Sequence, residues 1–272
     1  MNKQYHMHLD GLRGLSILFV FLYHLKLFEF PGFIGVDIFF VLSGFLIINI
    51  VKRQCLNNSF SLLAFYNRRI RRIVPITLLV ITATLFVGFY TLLPMDYIDL
   101  CKSAVSSLFF ISNFYFWRTQ NYFSDDTSLY PLIHTWSLGI EEQFYFFIFI
   151  FSTLFIKYPR IINKFFIISI LLSLINCLYF SYIGKSFSFY TLPFRMWEIM
   201  LGGFLAIHFS NSLLREKNLS SFVIDLSIIV FTVSIFFVHH FGFHPGPFCL
   251  FVCLFTCYLI TNGSNSTILN FI

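Results

Sequence analysis

Charged residues are scarce in this 272-residue chain: Asp, Glu, Lys and Arg together make up 11% of it, against about 25% in an ordinary soluble domain. That scarcity excludes a water-facing globular surface. With 58% hydrophobic residues, 21% aromatics and 41 Phe, such a surface would carry large apolar patches. No Ser-, Gly- or Pro-rich linker divides the chain, so one membrane domain over 1–272 is expected. The glycine-rich nucleotide fingerprint, the Ser-based nucleophile elbow and the CxxC pair are missing, and with them the chemistries those motifs mark. A cleavable leader is also missing: the apolar run after Asp10 and Arg13 has no small-residue cleavage site and reads as a retained first helix. The six Cys form no metal or disulfide framework. Cys249, Cys253 and Cys257 recur every four residues along one helical stripe. With no His or carboxylate in that segment they read as small packing residues, and no metal is expected.

What is present is a series of apolar runs near 12–30, 33–51, 73–93, 141–156, 161–183, 189–208, 222–239 and 246–261. Each approaches the roughly 20 apolar residues that a spanning helix needs. A ninth run, 104–117, is short and holds Ser106, Ser107, Ser112 and Asn113. The mean hydropathy is +0.81. The expected fold is therefore all-α, a polytopic bundle of about 8–9 membrane segments. The net charge of +6 reads as cationic loops that hold topology, and no nucleic acid is expected as a partner. Lys52, Arg53, Arg68, Arg69, Arg71 and Arg72 crowd the link between the second and third runs, which places that link and the N-terminus in the cytoplasm. The basic groups Lys157, Arg160, Lys164 and Arg215, Lys217 fall on the same side if 104–117 does not fully cross. That topology has eight crossings. Pro75 is expected just inside the start of the third helix, where a missing N–H is harmless.

Ionisable residues inside apolar runs carry the functional information, because each costs several kcal/mol in hydrocarbon without a partner or water. Arg13 and His24 lie eleven positions apart, about three turns and about 16 Å along one helical face. A neutral imidazole there can serve as a general base; an anchor and a packing residue are the alternative. Arg68, Arg69 and Arg72 share a helical face and suit the phosphates of an acyl-coenzyme A donor, or equally anionic lipid headgroups. In His134-Thr135-Trp136-Ser137-Leu138-Gly139-Ile140-Glu141-Glu142-Gln143-Phe144-Tyr145 two adjacent carboxylates open an apolar helix, where the helix dipole favours them. Arg195 and Glu198, three apart, form a possible ion pair near the membrane, and Asp37 sits just inside the second run. His239, His240 and His244 cluster without supporting carboxylates or cysteines and are not read as metal ligands.

These residues fall into motifs. Leu9-Asp10-Gly11-Leu12-Arg13-Gly14 with His24, Gly35-Val36-Asp37 through Ile47, Phe65-Tyr66-Asn67-Arg68-Arg69-Ile70-Arg71-Arg72-Ile73-Val74-Pro75, Thr135-Trp136-Ser137-Leu138 with Glu141-Glu142-Gln143-Phe144-Tyr145, and Phe194-Arg195-Met196-Trp197-Glu198 with Gly202-Gly203 stand in the order found in acyltransferase family 3, which the chain resembles. The resemblance implies a bacterial inner-membrane enzyme that acylates, usually O-acetylates, sugars of lipopolysaccharide, peptidoglycan or exported saccharides. It implies cytoplasmic acetyl- or acyl-coenzyme A as donor substrate, with no permanently bound cofactor. Membrane lipids and a saccharide or lipid-linked glycan are the implied partners. The family's arginine–histidine pair maps onto Arg13 and His24, and its arginine pair in a cytoplasmic loop onto Arg69 and Arg72. His24, Arg13, Glu141 and Glu142 are thus the expected catalytic set. Arg68, Arg69 and Arg72 are expected on the donor, and Asp37, Trp136, Ser137, Arg195 and Glu198 on the substrate side or in structure. Family members continue with a further helix, so the chain reads as C-terminally truncated relative to them. Two other readings stay open: a transporter or flippase of a lipid-linked saccharide, and an inactive structural fragment.

Overall fold

The computed structural model describes residues 7–25, 31–119, 130–208, 220–238 and 245–272. Among these residues the secondary structure is helical, with no strand. The chain divides into two compact units. One comprises Met1–Ile50, Ile161–Gly184 and Met196–Ile272, the other Val51–Arg160 and Lys185–Arg195. Among the described residues, five helices are long and apolar enough to cross a membrane: Ile34–Leu56, Leu62–Thr91, Thr135–Lys157, Ile162–Tyr182 and Pro247–Asn265. The protein is an all-α, multi-pass membrane protein. Ser221–Ile235 is apolar but shorter, and the remaining apolar helices carry Asp10, Arg13, Arg195 and Glu198.

The first unit is built from α1 (Met7–His24), most of α2 (Ile34–Leu56), α8 (Ile162–Tyr182), α10 (Leu192–His208) from Met196 onward, α11 (Ser221–Val238), α12 (Pro247–Asn262) and α13 (Thr267–Phe271). In hydrocarbon, apolar helix faces gain little from meeting each other, so close backbone approach over small residues becomes the means of association. The α2–α10 contact shows this from both sides. A Cβ on Gly44 would lie 1.8 Å from Ile199 O, and one on Gly202 would lie 1.9 Å from Val41 O. Ser173 of α8 accepts a hydrogen bond from Trp197 N at 3.0 Å, and Phe166 of α8 packs where a Gly203 side chain would stand. Phe231 of α11 stacks on Phe255 of α12 with ring centroids 4.1 Å apart.

Asp225 of α11 holds the C-terminal segment. It accepts Ser266 Oγ at 2.5 Å, Thr267 N at 3.2 Å, Ile268 N at 3.3 Å and the Thr267 hydroxyl. Thr267 N and Ile268 N are orphan backbone donors of a helix N-terminus, the other two donors are side-chain hydroxyls, and a carboxylate answers both the hydrogen bonds and the dipole. The helix so fixed, α13, packs on α1, where Leu269 O occupies the space a Gly11 side chain would need.

The second unit holds α3 (Leu62–Thr91), α4 (Pro94–Leu108), α5 (Ser112–Thr119), α6 (Thr135–Tyr145), α7 (Ile148–Lys157) and α9 (Phe187–Tyr190). The helix α3 begins eleven residues before the apolar run at 73–93. Ser61, extended at φ −132°, accepts Ala64 N at 3.3 Å and caps it. The arginine cluster between the second and third apolar runs lies on this helix, in keeping with the shared helical face of Arg68, Arg69 and Arg72. Only the start of the helix escapes the sequence reading, because hydropathy marks the apolar part of a helix and not a charged first segment. Pro75 is correspondingly an interior residue of α3. It leaves Arg71 O without its helical donor, which corrects the expectation of a harmless first-turn position. Further along, α3 exposes Leu79 (70%), Phe86 (66%) and Phe89 (65%), a stripe suited to lipid.

The run 104–117 is not one helix. It breaks between α4 and α5 at Phe110, which takes a left-handed φ of 55°. Phe110 N donates to Ser107 O at 3.1 Å and Ile111 N to Ser106 O at 2.9 Å, the paired bonds of a Schellman cap. Glycine is the usual residue at that position; Phe110 holds it at a cost on the order of 1–3 kcal/mol.

Substitutions at Gly44, Gly202 and Asp225, with Leu79 as the control, check this architecture. Gly44→Val and Gly202→Val force backbone separation and are expected to destabilise by about 1–3 kcal/mol or more, read as a lower Tm and loss of monodisperse protein in detergent. Leu79→Val on the lipid-facing stripe should leave both unchanged. Asp225→Ala removes the acceptor of four hydrogen bonds and is expected to lower Tm by more than Asp225→Asn, which retains one acceptor oxygen.

Candidate active site

The residues singled out by sequence fall in both units, and each unit arranges its own share. In the first, α1 carries Asp10, Arg13 and His24 on one face. Arg13 Nη1 pairs with Asp10 Oδ1 at 2.9 Å, both half-exposed. His24 is exposed at the C-terminal end of the helix. Its Nδ1 lies 2.8 Å from Val20 O. A carbonyl oxygen only accepts, so Nδ1 carries the proton and donates to it. In the neutral ring Nε2 is then a bare lone pair, the form needed in a base or nucleophile. The Tyr23 ring meets the imidazole edge-on at 5.5 Å.

Deeper in the same unit, Asp37 and Glu198 are fully buried. Glu198 Oε1 accepts a hydrogen bond from the Cys249 thiol at 3.5 Å, and Asp37 lies within electrostatic reach of the same thiol. The cysteine stripe thus has the carboxylate that its own segment lacks.

In the second unit the arginine cluster of α3 meets the paired carboxylates of α6. Arg69 stacks its guanidinium on the Tyr145 ring, 4.3 Å from the centroid, a cation–π contact that strengthens on desolvation. Tyr66 OH donates to Tyr145 O at 2.8 Å, and Tyr145 OH to Glu141 Oε2 at 3.5 Å. Glu142 lies within electrostatic reach of both Arg69 and Glu141. Glu142 Oε1 is buried and makes no hydrogen bond among the described residues. Arg68, Arg71 and Arg72 are exposed. Arg69 is thus the arginine turned into the protein, and Arg72, three residues on, shares its side of the helix.

A second network lies along another face of α6. Gln143 Nε2 donates to Phe110 O at 3.1 Å and to Asn113 Oδ1 at 2.8 Å. Asn113 Nδ2 donates to Tyr190 O at 3.0 Å. Gly139 lets the Phe110 turn approach, since a Cβ there would lie 3.1 Å from Phe110 O. Trp136 is buried against Phe189 and Tyr190, at 4.6 and 5.6 Å between centroids, with the Arg195 guanidinium 5.5 Å from the Phe189 ring and 5.9 Å from the Trp136 ring. Ser137 turns its hydroxyl back to His134 O at 3.1 Å.

Of the expected site residues, the structure brings Arg69, Glu141 and Glu142 together, Trp136 with Arg195, and Asp37 with Glu198 around Cys249. Arg68 and Arg72 stay apart from the carboxylates as exposed groups. His239, His240, His244, Arg215 and Lys217 lie outside the described residues. Sequence reasoning missed Asn113, Tyr145 and Asp225 as organising groups. Asp225 had a signal, a lone carboxylate in an apolar run; Asn113 and Tyr145 had only their place in polar or aromatic stretches.

Against this geometry the comparisons are informative. The profile of the Acyltransferase domain family matches residues 8–272, and the chain belongs to that family. It is 32% identical over 244 residues to an uncharacterised protein of Haemophilus influenzae, covering 85% of this chain and 99% of that one. It is 31% identical over 229 residues to the O-acetyltransferase OatA of Staphylococcus aureus, covering 81% of this chain and 38% of the relative. With the peptidoglycan O-acetyltransferase OatA of Listeria monocytogenes it shares 36% identity over 214 residues, 75% of this chain and 34% of the relative. The chain therefore spans little more than a third of the length of these O-acetyltransferases. No solved structure matches it.

The Gln143 network generates a test. Gln143→Leu strands Phe110 O and Asn113 Oδ1, and is expected to cost about 1–3 kcal/mol for each buried group left unsatisfied. In a Phe110→Gly background the turn no longer needs holding. The two substitutions should then couple by at least about 0.5 kcal/mol; additive losses in a detergent unfolding assay would contradict the linkage.

Proposed function

We propose that this family member moves an acetyl group from cytoplasmic acetyl-coenzyme A to a hydroxyl of a cell-envelope saccharide at the bacterial inner membrane. The observation that carries the reading is the 2.8 Å contact of His24 Nδ1 with Val20 O, which leaves Nε2 as the lone-pair nitrogen, on the helix face that also bears Arg13. The relatives named as O-acetyltransferases support the acetyl group and the hydroxyl acceptor, and the one named for peptidoglycan supports a saccharide. The density of Lys and Arg around the start of α3 supports a cytoplasmic position for that end and for the N-terminus.

In the direct route, His24 Nε2 takes the proton of the acceptor hydroxyl as its oxygen attacks the thioester carbonyl carbon. The tetrahedral intermediate collapses, the C–S bond breaks, and the coenzyme A thiolate receives that proton. In the relay route, Nε2 itself attacks the thioester carbon and the C–S bond breaks; the leaving thiolate takes the Nδ1 proton and departs as the thiol. The acceptor oxygen then attacks the acyl carbon, the C–N bond breaks, and the acceptor hydroxyl proton returns to the ring. Arg69 and Arg72 bind donor phosphates as planar, permanently charged donors. The Tyr145 ring beneath Arg69 and the charge of Glu142 beside it hold that guanidinium in place. Arg13, oriented by Asp10, supplies positive charge along the same helix as the base.

Two measurements test this. In calorimetry on full-length protein in detergent, Arg69→Ala and Arg72→Ala are each expected to weaken acetyl-coenzyme A binding at least tenfold, since a charge-assisted contact contributes about 1.5–3 kcal/mol. In a labelled-acetyl transfer assay, His24→Ala is expected to lose about 10²–10⁴-fold in rate with donor binding unchanged. Normal turnover by well-inserted His24→Ala protein would sink both routes.

A further inference from the structure

The cysteine stripe of α12 does not end in simple packing. Cys249 and Cys253 are one turn apart on the same helical face, and α10 points Glu198 at them. The two sulfurs and a carboxylate oxygen of Glu198 all lie within 4.8 Å of one another, and all three residues are fully buried. The Cys249 Sγ to Glu198 Oε1 separation is 3.5 Å. With Zn–S near 2.3 Å and Zn–O near 2.1 Å, the S···O edge of a tetrahedral zinc site is about 3.6 Å and its S···S edge about 3.8 Å. The observed S···O separation already equals the first of these. The other separations, none above 4.8 Å, need at most about 1 Å of side-chain closure to reach such edges. Asp37, fully buried on α2, lies within electrostatic reach of Cys249 and offers a fourth oxygen or an outer-shell acceptor.

We propose that Cys249, Cys253 and Glu198 form a structural site for a tetrahedral, thiophilic divalent cation of the Zn²⁺ class. Thiolate and carboxylate together suit Zn²⁺ over Mg²⁺ or Ca²⁺, which favour all-oxygen shells. The ion ties α12 to α10 inside the first unit. It binds as the two thiols lose their protons, so two protons are released per ion and both S–H bonds are replaced by metal–sulfur bonds. Affinity therefore falls as pH drops, by up to about a hundredfold per unit below the thiol range. This inference does not rest on the donor and acceptor proposed above: the transfer proposed there uses none of the three ligands, and the site gives Glu198 the structural one of the two roles its motif allowed.

The test uses full-length protein in detergent, expressed with added Zn²⁺ and separately reconstituted with Co²⁺ as the spectroscopic probe. About one zinc per chain and a thiolate-to-cobalt charge-transfer band in the near ultraviolet are expected. Cys249→Ser and Cys253→Ser should each lower both signals at least tenfold, Glu198→Gln several-fold, and Cys101→Ser and Cys177→Ser should leave them unchanged. Because serine variants can fail to insert, the wild type is also read alone. During partial unfolding, Zn²⁺ should slow alkylation of Cys249 and Cys253, mapped by mass spectrometry, and leave Cys101 unaffected. Folded wild type with no metal and no band, metal retained in both serine variants, or equal alkylation with and without Zn²⁺ would each overturn the site.

Discussion

A polar group in hydrocarbon must be answered by another polar group, since lipid offers none, and an unanswered one costs several kcal/mol. That constraint organises both units of this protein more than apolar packing does. Leu and Phe side chains are as content against lipid as against each other, which is why α3 shows lipid a long stripe of them. The Gln143–Asn113–Phe110 network and the fourfold-bonded carboxylate of Asp225 have no such freedom. Each fixes one geometry between specific helices. The Asp225 bonds set where α13 begins, and the Gln143 bonds set where α4 gives way to α5.

The same constraint explains how a strained turn survives. Phe110 holds a left-handed conformation that a side chain disfavours. The turn ends one helix with two cap bonds and presents its own carbonyl to Gln143. Continuing the helix would withdraw that carbonyl from Gln143 and leave a buried amide without its acceptor. The backbone strain and the side-chain bond are of similar size, about 1–3 kcal/mol, so neither alone decides the conformation. Gly139 tips the balance by letting the turn come within hydrogen-bonding distance of α6.

Much of this was legible in sequence, and the boundary of legibility is physical. Composition and apolar runs give an all-helical membrane protein, and the ordered motifs give the family. Hydropathy follows apolar segments, so it started the third run at residue 73; the i, i+3 and i, i+4 spacing of Arg68, Arg69 and Arg72 already spoke for a helix there, and Ser61 caps the helix that contains them. It could not see that Phe110 interrupts 104–117, because no glycine or proline marks the break. For the candidate site, sequence supplied Arg69, Glu141 and Glu142 as separate motifs. Only tertiary structure places Tyr145 between the arginine and a carboxylate. The cysteines of α12 were read as packing because their segment lacks a carboxylate; Glu198 arrives from 51 residues earlier in the chain.

Helix α1 shows how one segment serves fold and chemistry without conflict. At 100° per residue, Arg13, His24, Ile17 and Asp10 fall within about 60° of one another, and none of them is buried. Gly11 lies about 160° around the helix from Arg13 and is pressed against α13, where even a methyl group would collide with Leu269 O. Leu12, Leu15 and Phe19 complete the buried side. The glycines of the Leu9–Gly14 motif therefore belong to the fold, and its charged residues to the open face. A substrate that approaches the open face meets side chains whose positions depend on contacts made on the opposite side of the helix. The chain from Asp225 through α13 and Gly11 to Arg13 is one continuous mechanical support. It gives a physical reason for an apolar helix to spend a carboxylate on capping five residues at its neighbour's end.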